Sequence, residues 1–242
     1  MPWTLSVYGE NGKIEYMKYL RIVVALVLIP VVGAVMYELF YLVAGMAANI
    51  TESTLPFWLG LGIYFLFQLI FAKPLRVYVF GHELTHALAG ILSGAKIKKF
   101  NVAATGGSVV LTKTNIWIAL SPYFVPVYTV ILLCVYGVAG WWWPVSEYHS
   151  WFLFAMGFSL SFHFALTHYA LMQGQKDLES FGVFFSAVIV LLVNGLVIAV
   201  LLKVLFPRDV VLSSYFAAAA GRTVLLYQWM GEKSWVVFQK MR

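Results

Sequence analysis

His82-Glu83-Leu84-Thr85-His86 lies within residues 75–93, a stretch whose other residues are nearly all apolar. An apolar run of that length reads as a candidate membrane helix, and an ionisable cluster at membrane depth is costly enough to imply a purpose. On a helix, residues four apart lie one above the other, so His82 and His86 share a face and both imidazoles can grip one metal ion. Glu83 then falls beside the position that a catalytic zinc site leaves open. A metal there brings the pKa of water down to roughly 7, and a neighbouring carboxylate can take that proton and later return it to a leaving amine. The pattern points to hydrolysis of a peptide bond. With 5 His in 242 residues, chance would place such a motif only about 0.003 times in a chain of this composition. The bland alternative is a pair of buried histidines satisfied by backbone carbonyls around one glutamate.

Composition sets the solvent. Hydrophobic residues make up 62% of the chain and charged residues 11%, against about 25% charged in soluble domains. Runs long enough for a hydrocarbon core of about 30 Å occur near 20–46, 56–72, 75–93, 115–139, 150–172 and 181–206. Lys73, Pro74 and Arg76 divide the second run from the third. A single helix over 56–93 would be about 57 Å long, too long for one crossing, so two helices or one sharply broken helix are expected. Residues 210–230 carry only Arg222 as a charge but are interrupted by Ser213, Ser214 and Gly221, which fits a seventh span or an interfacial helix. The expected fold is an all-α polytopic membrane protein with about six transmembrane helices, possibly seven, and a short β-hairpin between the third and fourth. Its organisation reads as an N-terminal segment with the first span over 1–55, a membrane-embedded core over 56–206, and a helical or interfacial tail over 207–242.

The single cysteine, Cys134, falls inside a span and allows no intramolecular disulfide. The apolar run after Arg21 is far longer than a signal-peptide core of about 7–15 residues, so the first span is expected to stay. A formal charge of +6 comes from Lys and Arg scattered at span ends. That distribution excludes a nucleic-acid-binding face and suits anchoring at lipid headgroups, the bilayer being the first partner.

Residues 96–113 place β-branched residues around Gly106-Gly107 and read as a hairpin. Either it is an exposed connector, or Gly106, Gly107 and Ser108 form a strand edge to which an unwound membrane protein or peptide substrate pairs. Such pairing matters because a helical peptide bond is shielded by its own hydrogen bonds. A zinc site also needs a third protein ligand. Asp177 is the candidate, in a loop where Gln173, Gly174 and Gln175 let the chain unwind and carry a carboxylate back to the metal. Glu179 is the competing carboxylate and His168 the competing imidazole, one turn inside the fifth span. His163 and His168 point about 140° apart on a helix, which argues against a paired site between them. A polar residue satisfied between helices is the plainer account of His163.

Together these residues resemble the site-2 protease family of intramembrane zinc metalloproteases over about Phe80 to Gly182. The likeness rests on the His82 to His86 motif, the Gly106-Gly107 hairpin after it, Ser121-Pro122 at the start of the next span, and an aspartate loop two spans later. The resemblance implies one zinc ion per chain held by His82, His86 and Asp177, with Glu83 as general base, cutting substrates within or beside the bilayer. The family usually presents an Asn-Pro-Asp-Gly-like sequence at the third ligand, where this chain has Gln173 and Gln175 before Asp177 and Leu178 after it. Either Gln173 or Gln175 would then supply the amide that steadies the oxyanion, with His168 a candidate to line the pocket.

Lysines 96, 98, 99, 113 and 176 mark the expected zinc side, whereas residues 140–150 carry no Lys or Arg. The positive-inside rule puts the zinc side in the cytoplasm. Simple alternation would place Lys13, Lys18 and Arg21 outside, and a third segment that only partly crosses removes that conflict. Competing classes are a non-catalytic metal-binding scaffold or transporter, and a di-iron membrane oxidase. A scaffold needs no carboxylate between its histidines, and five histidines are too few for a histidine-box enzyme.

Overall fold

The computed structural model describes residues 11–71, 73–103, 106–240 and 242. Residues 104 and 105 of the expected hairpin, and the first ten of the expected N-terminal segment, lie outside these. In chain order the elements are α1 (Asn11–Ala48), α2 (Leu55–Ile70), α3 (Leu75–Leu92), β1 (Ile97–Ala103), β2 (Gly106–Leu111), α4 (Ile116–Leu120), α5 (Val127–Ala139), α6 (His149–Met172), α7 (Lys176–Glu179), α8 (Val183–Leu205) and α9 (Leu212–Lys240). Short 3-10 turns at Ser121–Tyr123 and Val145–Tyr148 precede α5 and α6. The protein is therefore mostly helical, with one small antiparallel hairpin.

Three helical segments are long and apolar enough to cross a membrane: Met17–Ala48, Val145–Met172 and Val183–Leu205. A fourth arises if Ile116–Tyr123 and Val127–Ala139, bent by 83°, count as one broken span. The sequence led us to expect six or seven. Between six and four the difference lies in α2 and α3, and between four and three in the bent pair. At 16 residues α2 rises only about 24 Å, short of a core of about 30 Å. The ionisable residues of α3 dilute its apolar character. Phe71 is extended and Pro74 precedes the first residue of α3, so 56–93 does break where the proline predicted.

The described chain forms two compact units, one over residues 50–186 and one joining 12–49 to 187–242. From residue 187 onward α8 groups with α1 and α9, a different division from the 56–206 core read from the sequence. In the first unit the helix pair α2 and α6 approaches at glycine. A Cβ on Gly60 would stand 2.0 Å from the Phe154 carbonyl oxygen, and one on Gly157 would stand 2.0 Å from that of Phe57. Small residues let backbones meet where no water drives the helices together.

The hairpin pairs Phe100 with Val109, Asn101 with Ser108, Val102 with Gly107 and Ala103 with Gly106. Gly107 lies against α3, because a Cβ there would come 2.8 Å from Val79 Cγ1. Between α4 and α5 the chain turns sharply at Pro126, which lacks an N–H and biases Val125 away from helical torsions. In the second unit, the Tyr215 hydroxyl reaches the carbonyls of Val35 on α1 (3.1 Å) and Gly195 on α8 (3.3 Å). Arg222 Nε donates to Glu38 Oε1 at 2.7 Å while its guanidinium lies 3.5 Å from the Tyr37 ring centre.

Candidate metal centre

Along α3 the buried residues include His82, Glu83 and His86, so the motif faces protein. Each imidazole has its Nδ1 edge engaged. His86 Nδ1–H donates to the Ile118 carbonyl at 2.7 Å, and His82 Nδ1 lies 3.3 Å from the Tyr78 hydroxyl, one turn earlier on the same helix. Fixing one ring nitrogen through an outer partner is how proteins set the tautomer and aim of a metal-binding histidine. Both Nε2 atoms are left facing Asp177 Oδ2, at 3.3 Å from His82 and 3.2 Å from His86.

Those separations decide what the cluster can hold. Ligands about 2.0–2.1 Å from a tetrahedral ion lie about 3.3 Å from one another, the length of a tetrahedron edge. With Nδ1–H spent on Ile118, a neutral His86 points an Nε2 lone pair at a carboxylate oxygen. Two acceptors that close need a positive charge between them or a second proton on the ring. His82, His86 and Asp177 are all buried and their ligand atoms lie within 4.8 Å of one another. The residues thus fit a metal ion.

Asp177 reaches the site through a hinge of two glycines. Gly174 (φ +67°) and Gly182 (φ +91°) bracket α7, each in the left-handed region that costs glycine least. The Ser186 hydroxyl donates to the Leu178 carbonyl at 3.0 Å and pins the segment from its far end. Tyr123, delivered by the break between α4 and α5, donates its hydroxyl to Asp177 Oδ2 at 3.1 Å. The same break brings the Ile118 carbonyl to His86. Burial alone would raise the Asp177 pKa, but the hydrogen bonds and charges of His82 and His86 outweigh it and hold the carboxyl well below the usual carboxylate range.

Glu83 does not join the three donors and faces the hairpin. A Cβ at Gly107 would come 2.6 Å from Glu83 Cγ, and the Val109 amide donates toward the carboxylate. The glycine is what lets β2 lie this close. Gly106 and Ser108 flank it in the ladder.

The remaining sequence candidates fall elsewhere. Glu179, His168 and Gln173 are exposed. Gln175 is buried, but its side-chain amide donates to the Ala170 carbonyl at 3.3 Å and so closes the end of α6. Sequence reasoning passed over Tyr78 and Tyr123, and took His163 for a polar residue satisfied between helices, whereas its Nε2 has no hydrogen-bond partner among the described residues. Tyr78 was within reach, being four residues before His82 on the same helix. His163 is buried beside the His82 face of α3, and only the packing of α6 against α3 reveals it. In comparisons with known proteins, no family model, curated protein or solved structure matches this chain.

Proposed function

We propose that this chain is an intramembrane zinc metalloendopeptidase of the site-2 protease kind, hydrolysing peptide bonds of membrane-embedded or membrane-adjacent substrates. The observation that carries this reading is the triangle of His82 Nε2, His86 Nε2 and Asp177 Oδ2, with edges of 3.2 and 3.3 Å to the carboxylate, set beside the separate carboxylate of Glu83. When bound, zinc supplies the Lewis acidity that activates water and polarises a carbonyl at neutral pH. Tyr78 and Ile118 orient the two imidazoles, and Tyr123 holds the aspartate. Glu83 accepts the proton from the attacking water and returns it to the leaving amine. The Val109 amide aims that carboxylate, and the edge of β2 around Gly106, Gly107 and Ser108 receives the substrate as an added extended strand. On this reading the chain makes six crossings, with α2 and α3 as short ones and α9 as a seventh or an interfacial helix. The lysine-rich hairpin side, with the metal, faces the cytoplasm.

The test uses the purified full chain. Wild type should hold near one zinc per chain, and His86→Ala and Asp177→Ala much less. Glu83→Gln should keep its zinc while hydrolysis of a model transmembrane peptide falls by about 10²–10⁴-fold. Equal zinc in all four proteins would remove the metal centre, and full activity in Glu83→Gln would remove the general base. Loss of zinc in Glu179→Ala with retention in Asp177→Ala would reassign the third ligand and leave the class intact.

A further inference from the structure

On α6, two buried side-chain atoms have no hydrogen-bond partner among the described residues: His163 Nε2 and, one turn later, Thr167 Oγ1. His163 is only 8% exposed. An unpaired polar atom that deeply buried is uncommon and calls for a ligand or a water. His163 lines a cavity of about 20 Å³ together with Tyr78, His82, Thr85 and Tyr128, room for about one water-sized group. The other polar atoms around it are committed: Thr85 Oγ1 to the Gly81 carbonyl, Tyr78 to His82, and the Tyr128 hydroxyl to the Val77 carbonyl. Among the described residues that line the cavity, His163 Nε2 is the side-chain atom without a hydrogen-bond partner.

Behind this cavity lies a second space. Tyr128 and Phe162, edge to face at 5.4 Å, line both. Beyond them is a groove of about 310 Å³ walled by Tyr64, Phe67, Val77, Phe158 and Phe162. Ser159 in its lining is turned into the protein, bonded to Thr129 Oγ1 at 2.9 Å and to the Met156 carbonyl. The wall is therefore apolar. Its volume matches the lower end of ligand clefts, about 300 Å³, and holds an aromatic or long aliphatic side chain.

We propose that the groove is the subsite for a large apolar side chain of an extended peptide substrate, and that His163 Nε2 holds that substrate's main chain where the groove meets the metal centre. The proposal rests on the hydrolase reading for what happens next to the bound peptide. The occupant is a peptide rather than a lipid tail because of the imidazole. An acyl chain would fill the groove and leave Nε2 unpaired, whereas a peptide offers a carbonyl or an N–H whichever ring tautomer is present.

The experiment uses the full chain in lipid nanodiscs with paired model transmembrane peptides carrying Phe or Ala at successive positions around the scissile bond. Wild type should prefer Phe about tenfold or more at one position. Val77→Trp fills the groove from a half-exposed wall residue and should bring that preference to within about twofold by lowering cleavage of the Phe peptide. In a Glu83→Gln background, which binds without cutting, His163→Leu should weaken peptide binding about tenfold and His163→Gln much less, a loss of one hydrogen bond. Zinc per chain, measured alongside, should be unchanged in all of these. A benzophenone-bearing phenylalanine at position 77 should cross-link the Phe peptide. Cross-linking to lipid alone, or a Phe preference untouched by Val77→Trp, overturns the proposal and leaves the hydrolase standing. Peptide capture at position 77 by a zinc-loaded wild type that never cuts would overturn the hydrolase and leave the groove as a peptide site.

Discussion

Tyr123 and Gly107 show how single residues tune a site they do not form. Tyr123 supports Asp177 through one hydroxyl at 3.1 Å, and losing an outer partner of a metal ligand typically costs 10–100-fold in affinity. Tyr123→Phe should therefore weaken zinc binding by about that factor in a competitive chelator titration, with one zinc still bound at saturation. On the proposed hydrolase reading, Gly107→Ala separates metal binding from proton transfer at Glu83. Its Cβ would overlap Glu83 Cγ at 2.6 Å and Val79 Cγ1 at 2.8 Å, so β2 or the carboxylate must shift. Zinc content should stay near wild type while peptide cleavage drops about tenfold or more, since a misplacement of about 1 Å is that costly to catalysis. At this scale the motif was readable because helical spacing is local: His82, Glu83, His86 and Tyr78 all belong to one helix. Asp177 was readable only as a candidate, since sequence alone left Glu179 and His168 beside it. Burial separates them, leaving Asp177 inside and the other two in contact with solvent or lipid.

Helices α2 and α6 meet through glycine, and the contact makes a matched prediction. Gly157→Ala drives a methyl to 2.0 Å from a backbone oxygen of α2, which cannot rotate away. Thermal unfolding of the purified protein should show destabilisation of about 1–3 kcal/mol or more, as for overpacked cores. Gly62→Ala, on the same helix α2 with nothing within 4 Å of the new methyl, should be neutral or gain up to about 1 kcal/mol from the better helix former. Equal effects at both positions would count against the close crossing. Periodicity located these helices but gave no hint of which glycines touch a neighbour, because Gly60 and Gly62 look alike in sequence. The broken segment α4 to α5 is a similar case. The sequence reading takes 115–139 as one span, with Ser121-Pro122 at its start, whereas the consequence of its prolines, a carbonyl at His86 and a hydroxyl at Asp177, depends on an 83° bend between the two helices.

For the molecule as a whole, the proposed six crossings turn on whether that bent pair crosses a bilayer or turns back within it. The chain has one cysteine, so Cys134→Ala provides a background for introduced thiols. Lys99→Cys on the hairpin and Ser146→Cys after α5 should react with an impermeant reagent from opposite faces of sealed vesicles. Labelling from the same face would make the pair a re-entrant loop. Apolar content, the paired histidines and the prolines were enough to read a mostly helical chain with helices apolar enough to cross a membrane and a metal-binding type of motif, because hydropathy, helical phase and the missing proline N–H act within a few residues of one another. The number of long spans, the grouping of α8 with the terminal helices, the choice of Asp177, the contacts of Tyr123 with Asp177 and of the Ile118 carbonyl with His86, and the unpaired His163 came from three-dimensional packing. These contacts join residues far apart in the chain, 95 positions for His82 and Asp177 and 180 for Tyr215 and Val35, and such distances close only when helices bend and meet, which no local pattern encodes.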